Sequence, residues 1–230
     1  MLEIIVVLLQ IFLLYLLATK LQKKIFVLGF LLTKSKKFAT SITSILLLPG
    51  TIIHEVSHWL AAELLGVPTG EMNLMPRFEE GLGIKMGSIQ VAKTDFVRRT
   101  LVGLAPLVMG LFIIVLAAHF LSFPTWERFS PLTDIPLILS IFLVSNTMFS
   151  SAKDLEAAFP FFTVLAITIF ALNYFNVPVP IKVSNAVFTL TPKFLVSFTF
   201  AIAIDLFFYA TAIFLTKISE KITKRKIIIQ

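Results

Sequence analysis

The sequence predicts an all-α polytopic membrane bundle of about six transmembrane segments, with a small β-strand insert after the second. Three observations predict it. Of 230 residues, 57% are hydrophobic and 14% charged, against about 45–50% and about 25% in soluble domains. Several apolar runs approach the roughly 20 residues needed to cross about 30 Å of hydrocarbon. One long polar interval, 67–96, carries strand-like patterning instead.

The first segment is 2–19. It lacks the basic leader of a signal peptide, and Lys20, Lys23 and Lys24 follow it where a small-residue cleavage site would stand, so it is read as a retained span. The apolar stretch 25–33 is too short to span as a helix and is expected to be a strand or a re-entrant piece. The second segment, 38–65, contains Pro49-Gly50, where the missing backbone donor predicts a break or kink. Gly66 and Pro68 give its stop. In 67–96, "TGEMNLMP" and "GIKMGSIQVAK" read as short strands around a turn at 79–83. The third segment is 97–123 and the fourth 135–148. The fifth follows Asp154 and runs to about Tyr174. A loop with three prolines, 175–192, leads to the sixth, 194–216, and a basic tail, 217–230. The whole, 1–230, reads as a single membrane domain.

The chain has no cysteine, which excludes disulfides, a thiol nucleophile and thiolate zinc sites. Its net charge of +7 sits in clusters beside apolar runs, at 20–24, 34–37, 98–99 and 217–226. That pattern fits the lipid bilayer, with its anionic headgroups, as a partner, and not nucleic acid. The expected location is the cytoplasmic membrane of a prokaryote. With six spans, a cytoplasmic tail puts the lysines of 20–37 outside, against the positive-inside tendency; the sequence leaves orientation and oligomeric state open.

The second segment contains "HEVSH". Residues four apart on a helix share a face, so His54 and His58 can hold one ion while Glu55 stands beside them, within reach of a water on that ion. An ionisable trio in an apolar helix is costly without a partner. The alternative is two core histidines bonded to backbone and a surface acid. A catalytic zinc takes three protein ligands as a rule. Leu64 occupies the position six residues beyond His58, Glu63 points about 140° away from it, and His119 reads as an interfacial histidine. Asp154, at a polar junction between two apolar segments, is better placed; its alternative role is a helix N-terminal acid facing the dipole.

"HEVSHWLAAELLGV", a strand-rich insert, "GLAPLVMG" in the next span, and Asn146 eight residues before Asp154 together resemble the site-2 protease family of intramembrane zinc metalloproteases. The likeness covers about 38–175. It implies that His54, His58 and Asp154 are zinc ligands, Glu55 the general base, and Asn146 a residue beside the bound substrate. The chain departs from the family's second motif. Phe149 stands for its proline, Lys153 for its leucine and Leu155 for its glycine, and Ala105-Pro106 stands for a Gly-Pro step.

The expected function is therefore zinc-dependent hydrolysis of peptide bonds in membrane-associated protein or peptide substrates. The alternatives are a non-proteolytic membrane zinc protein or, further off, a cation transporter. Asp205, in the middle of the sixth segment, reads equally as a functional acid or as a structural one hydrogen-bonded to a neighbouring span. Gln10 and Glu3 read as packing or interfacial polar groups.

Overall fold

The computed structural model describes residues 2–74, 77–79, 83–85, 87–121, 129–149 and 181–223, with separate positions between 156 and 175. The chain is mostly helical. Helix α1 is Leu2–Thr33, α2 is Lys36–Leu64, α3 is Phe96–Phe120, α4 is Pro131–Thr147 and α5 is Ile181–Thr223. Between α2 and α3 lie β1 (Thr69–Asn73), β2 (Arg77–Glu79), β3 (Gly83–Lys85) and β4 (Ser88–Val91). Four helices, α1, α2, α3 and α5, are long and apolar enough to cross a membrane, and α4 is a shorter apolar helix. The expected fifth segment lies largely outside the described residues.

Three expectations are corrected. The stretch 25–33 is not a strand or re-entrant piece, because α1 runs unbroken to Thr33. Lysine is a good helix former, and Lys20, Lys23 and Lys24 are spaced three and four apart, on one face. Meanwhile Leu14, Leu17, Leu21, Val27 and Leu31 stay buried. The helix is about 48 Å long, more than the bilayer core needs. Next, of the break or kink expected at Pro49 the break is absent, since α2 is one helix through it; prolines are tolerated in membrane helices where neighbouring helices and hydroxyls take up freed backbone groups. Finally, α5 begins at Ile181, so most of the expected loop 175–192 is helical.

The ends of α2 show local sequence control. Ser35 caps its start by accepting from the Phe38 N–H. At its end Gly66 adopts φ +65°, its N–H donates to Glu63 O, and the Val67 N–H donates to Ala62 O. This is a Schellman ending, with Val67 packed beside Ala62.

Polarity in α2 is turned inside out. Thr40, Thr43, Ser44, Thr51, His54, Glu55, Ser57 and His58 are buried, whereas Phe38, Ile45, Trp59 and Leu64 are exposed. A surface of that kind belongs in lipid, with polar groups paired inside the bundle. The bundle closes around α4, whose residues from Ile141 to Met148 are all buried. A Cβ on Gly50 of α2 would stand 2.6 Å from Leu143 O and 2.5 Å from Thr147 Oγ1, and one on Gly110 of α3 would stand 2.8 Å from Met148 Cβ. Those two glycines let α2 and α3 approach α4 at nearly backbone distance.

The insert is an antiparallel hairpin in two ladders. β1 pairs with β4, Met72 opposite Ile89 and Asn73 opposite Ser88, with a register irregularity after Thr69. β2 pairs with β3, Phe78 opposite Ile84. The expected strands are thus present among the described residues, and the expected turn at 79–83 lies largely outside them.

Candidate metal centre

His54, Glu55 and His58 all lie on the buried face of α2, 3%, 6% and 6% exposed. The two imidazoles meet edge to face, centroids 4.9 Å apart, as side chains one turn apart on one face must. His58 Nδ1 lies 2.8 Å from the Val102 carbonyl of α3. A carbonyl can only accept, so Nδ1 carries the proton and Nε2 carries the lone pair. This is how a metal-binding imidazole is fixed in tautomer and orientation. Two imidazoles on one buried face fit the histidine half of a zinc site.

The base position is shaped from a second element. A Cβ on Gly87 would fall 2.8 Å from Glu55 Oε1, 3.0 Å from Glu55 Cγ and 2.9 Å from Thr51 Cγ2. The chain just before β4 therefore passes directly against the Glu55 carboxylate, and a side chain at this position would have to displace it. Nothing in the sequence marked Gly87 within the strand stretch "GIKMGSIQVAK"; its role depends on which helix the hairpin meets. Among the described strands β4 pairs with β1 alone, so its other edge has no strand partner.

Asp154 lies outside the described residues. Among the described ones no group of three or more His, Asp or Glu is arranged to hold a metal ion. The chain leaves α4 at Thr147, packed against Gly50, which is four residues and about 6 Å before His54. His119 is exposed in the last turn of α3 beside Phe120, ring centroids 5.3 Å apart. It is seventeen residues from Val102, about 25 Å along the helix, and takes no part in the site.

Asn146 is fully buried, and its Nδ2 donates to Asp205 Oδ1 at 2.8 Å and to Phe142 O at 2.8 Å. Ser145 Oγ donates to the same Asp205 oxygen at 3.0 Å, and Gln22 of α1 donates to the Asn146 carbonyl. Asn146 Oδ1 and Asp205 Oδ2 are buried without a hydrogen-bond partner. Asp205 is thus tied to a neighbouring helix, one of its two expected roles. The pairing with Asn146 was not foreseen.

No family model, curated protein or solved structure matches this chain. What the site can do is therefore argued from its residues. It can present two imidazole lone pairs to a cation and a carboxylate to a proton, on the inner face of a helix enclosed by others.

Proposed function

We propose that the protein is a zinc-dependent intramembrane endopeptidase built on a bundle of membrane-spanning helices. It resides in the cytoplasmic membrane of a prokaryote and cleaves membrane-associated proteins or peptides. The observation that carries this reading is the His54–His58 pair on the buried face of α2, with His58 Nδ1 donating to Val102 O. His54 and His58 would hold zinc, with Asp154 as third ligand on the strength of the family resemblance. Zinc, when bound, polarises a carbonyl and lowers the pKa of a water. Glu55 accepts that water's proton and passes it to the leaving amine.

A helical substrate has its carbonyls tied up and must unwind before attack. The edge of β4 that has no strand partner among the described residues offers an extended peptide main-chain hydrogen bonds, and Gly87 sets the start of that strand beside Glu55. Asn146 lies on the helix that contacts α2 one turn before His54 and is proposed to border the substrate.

The departures at Phe149, Lys153 and Leu155 favour a second reading, a zinc protein that has lost proteolysis. One experiment separates the two: measure zinc in the purified protein and test cleavage of membrane-spanning model peptides, with Glu55→Gln as control. Zinc with Glu55-dependent cleavage supports the protease. Zinc without cleavage supports the second reading, and no zinc removes both.

A further inference from the structure

Helices α1 and α5 run in the same direction. Gln10 Nε2 donates to Leu195 O at 3.2 Å and to Thr199 Oγ1 at 2.9 Å. Further along both helices, Leu21 and Ile25 share a cluster with Phe208, Tyr209 and Ala212. Residue numbers therefore rise together along the contact. Antiparallel packing would instead bring Leu21 toward the beginning of α5.

The other helices fix which ends coincide. Gly29 lies against Ala39, so α2 turns back from α1 after the short connection at Lys34 and Ser35. His58 meets Val102, and Val102 clusters with Ala62 and Val67, so α3 starts at the far end of α2, beside the strand insert. The Thr33 end of α1, the Lys36 end of α2 and the Thr223 end of α5 thus share one end of the bundle.

That end is strongly basic. It holds Lys34, Lys36 and Lys37 around the turn and Lys217 and Lys221 on α5, with Lys23 and Lys24 two to three turns back along α1 and Lys20 near the middle of that helix. Its described acids are Glu220 and Asp134, the latter buried at the start of α4 and accepting from the Ser130 N–H. The opposite end is mixed: Glu3, Glu63, Glu71, Glu79 and Asp95 stand with Arg77, Lys85, Lys93, Arg98, Arg99, Lys182 and Lys193.

We propose that the lysine-rich end, formed where the α1–α2 turn meets the end of α5, is the surface that sits on the anionic cytoplasmic leaflet. The strand insert and the Arg98–Arg99 start of α3 then face the other side. Lysines at helix ends extend to anionic headgroups and retain their segment on that side during insertion. The arrangement removes the conflict that six crossings create. Parallel α1 and α5 require an odd number of crossings, which puts Lys34, Lys36 and Lys37 on the same side as Lys217 and Lys221.

The absence of cysteine allows a direct test in the otherwise natural chain. Lys37→Cys, Lys221→Cys and Lys93→Cys each place one thiol at an exposed position. They are expressed separately in a bacterial host and treated with a membrane-impermeant maleimide, before and after permeabilisation; denaturation then labels every variant and verifies expression. The expected result is labelling of Lys93→Cys in intact cells, and of Lys37→Cys and Lys221→Cys only after permeabilisation. Labelling of positions 37 and 221 from opposite sides would overturn the shared end, and labelling of both from outside would overturn the orientation. As a second arm, Lys34, Lys36, Lys37, Lys217 and Lys221 are changed together to Gln in the Lys93→Cys background. A fall in the fraction of position 93 labelled in intact cells supports the lysines as the orienting charge. An unchanged fraction overturns that role.

Discussion

Asn146 of α4 donates a 2.8 Å hydrogen bond to Asp205 of α5, and both side chains are fully buried. This bond and the one from Ser145 join α4 to α5 where apolar packing supplies no direction. Replacing Asp205 by Ala removes an acceptor shared by two buried donors. A buried donor left unpaired costs about 1–3 kcal/mol. Asp205→Asn keeps an acceptor oxygen at similar reach and should lose less. Thermal unfolding in detergent should rank wild type above Asp205→Asn above Asp205→Ala; equal stability of all three would show that the pair does not hold the helices.

Gly87 gives a prediction confined to the base. An added methyl would stand 2.8 Å from Glu55 Oε1, so Gly87→Ala must push the carboxylate aside. A misplacement near 1 Å can cost about 100-fold in rate. Cleavage should therefore fall by about 10- to 100-fold with zinc content unchanged. Full activity in this variant would remove the hairpin from the site.

The zinc ligands are tested by metal content. His54→Ala and His58→Ala should each abolish binding of one zinc per chain, because one imidazole of an i, i+4 pair cannot chelate alone. Asp154→Ala should weaken zinc strongly and Glu156→Ala should not. Glu55→Gln should keep zinc and lose about 10²- to 10⁴-fold in rate. Metal retained in both histidine variants would reject the site.

Asp95 supplies a pH dependence outside the membrane. Its carboxylate caps α3 by accepting from the Arg98 N–H at 3.0 Å, and this bond, with the nearby Arg98 charge, holds its pKa below the usual aspartate value. A depressed folded-state pKa stabilises above the unfolded value and is lost as pH falls through the folded one. The wild type should lose stability relative to Asp95→Asn below about pH 4, and the difference should be constant above about pH 5. A difference independent of pH would show that the charge of the cap is immaterial.

Much of this was legible in the sequence, for identifiable reasons. Gly66 with Pro68 marked the end of α2 because a left-handed residue ends a helix in any context, and the hairpin was legible from its alternation and turn. "HEVSH" was legible because one helical turn brings its members together without help from the rest of the fold. The continuation of α1 past Lys24 was not, because three lysines in an apolar run look like an interface until a neighbouring helix is seen to leave their face exposed. Pro49 looked like a break because the sequence does not show a helix packed on Gly50. The Asn146–Asp205 pair joins residues 59 apart in sequence, and no local pattern encodes such a meeting.

The inverted polarity of α2 bears on how the chain enters a bilayer. Of the four membrane-length helices α2 is the least apolar, and its histidines, glutamate and hydroxyls would each oppose transfer into lipid alone. It follows α1 after only Lys34 and Ser35, Lys34 taking a left-handed φ of 59°. The two are therefore suited to partition as a helical hairpin, α1 supplying the transfer free energy that α2 lacks. The polar face of α2 meets α3 at Val102, α4 at Thr147 and the insert at Gly87, so it is enclosed only when those elements arrive, and the chemistry of the site is assembled by the order of insertion.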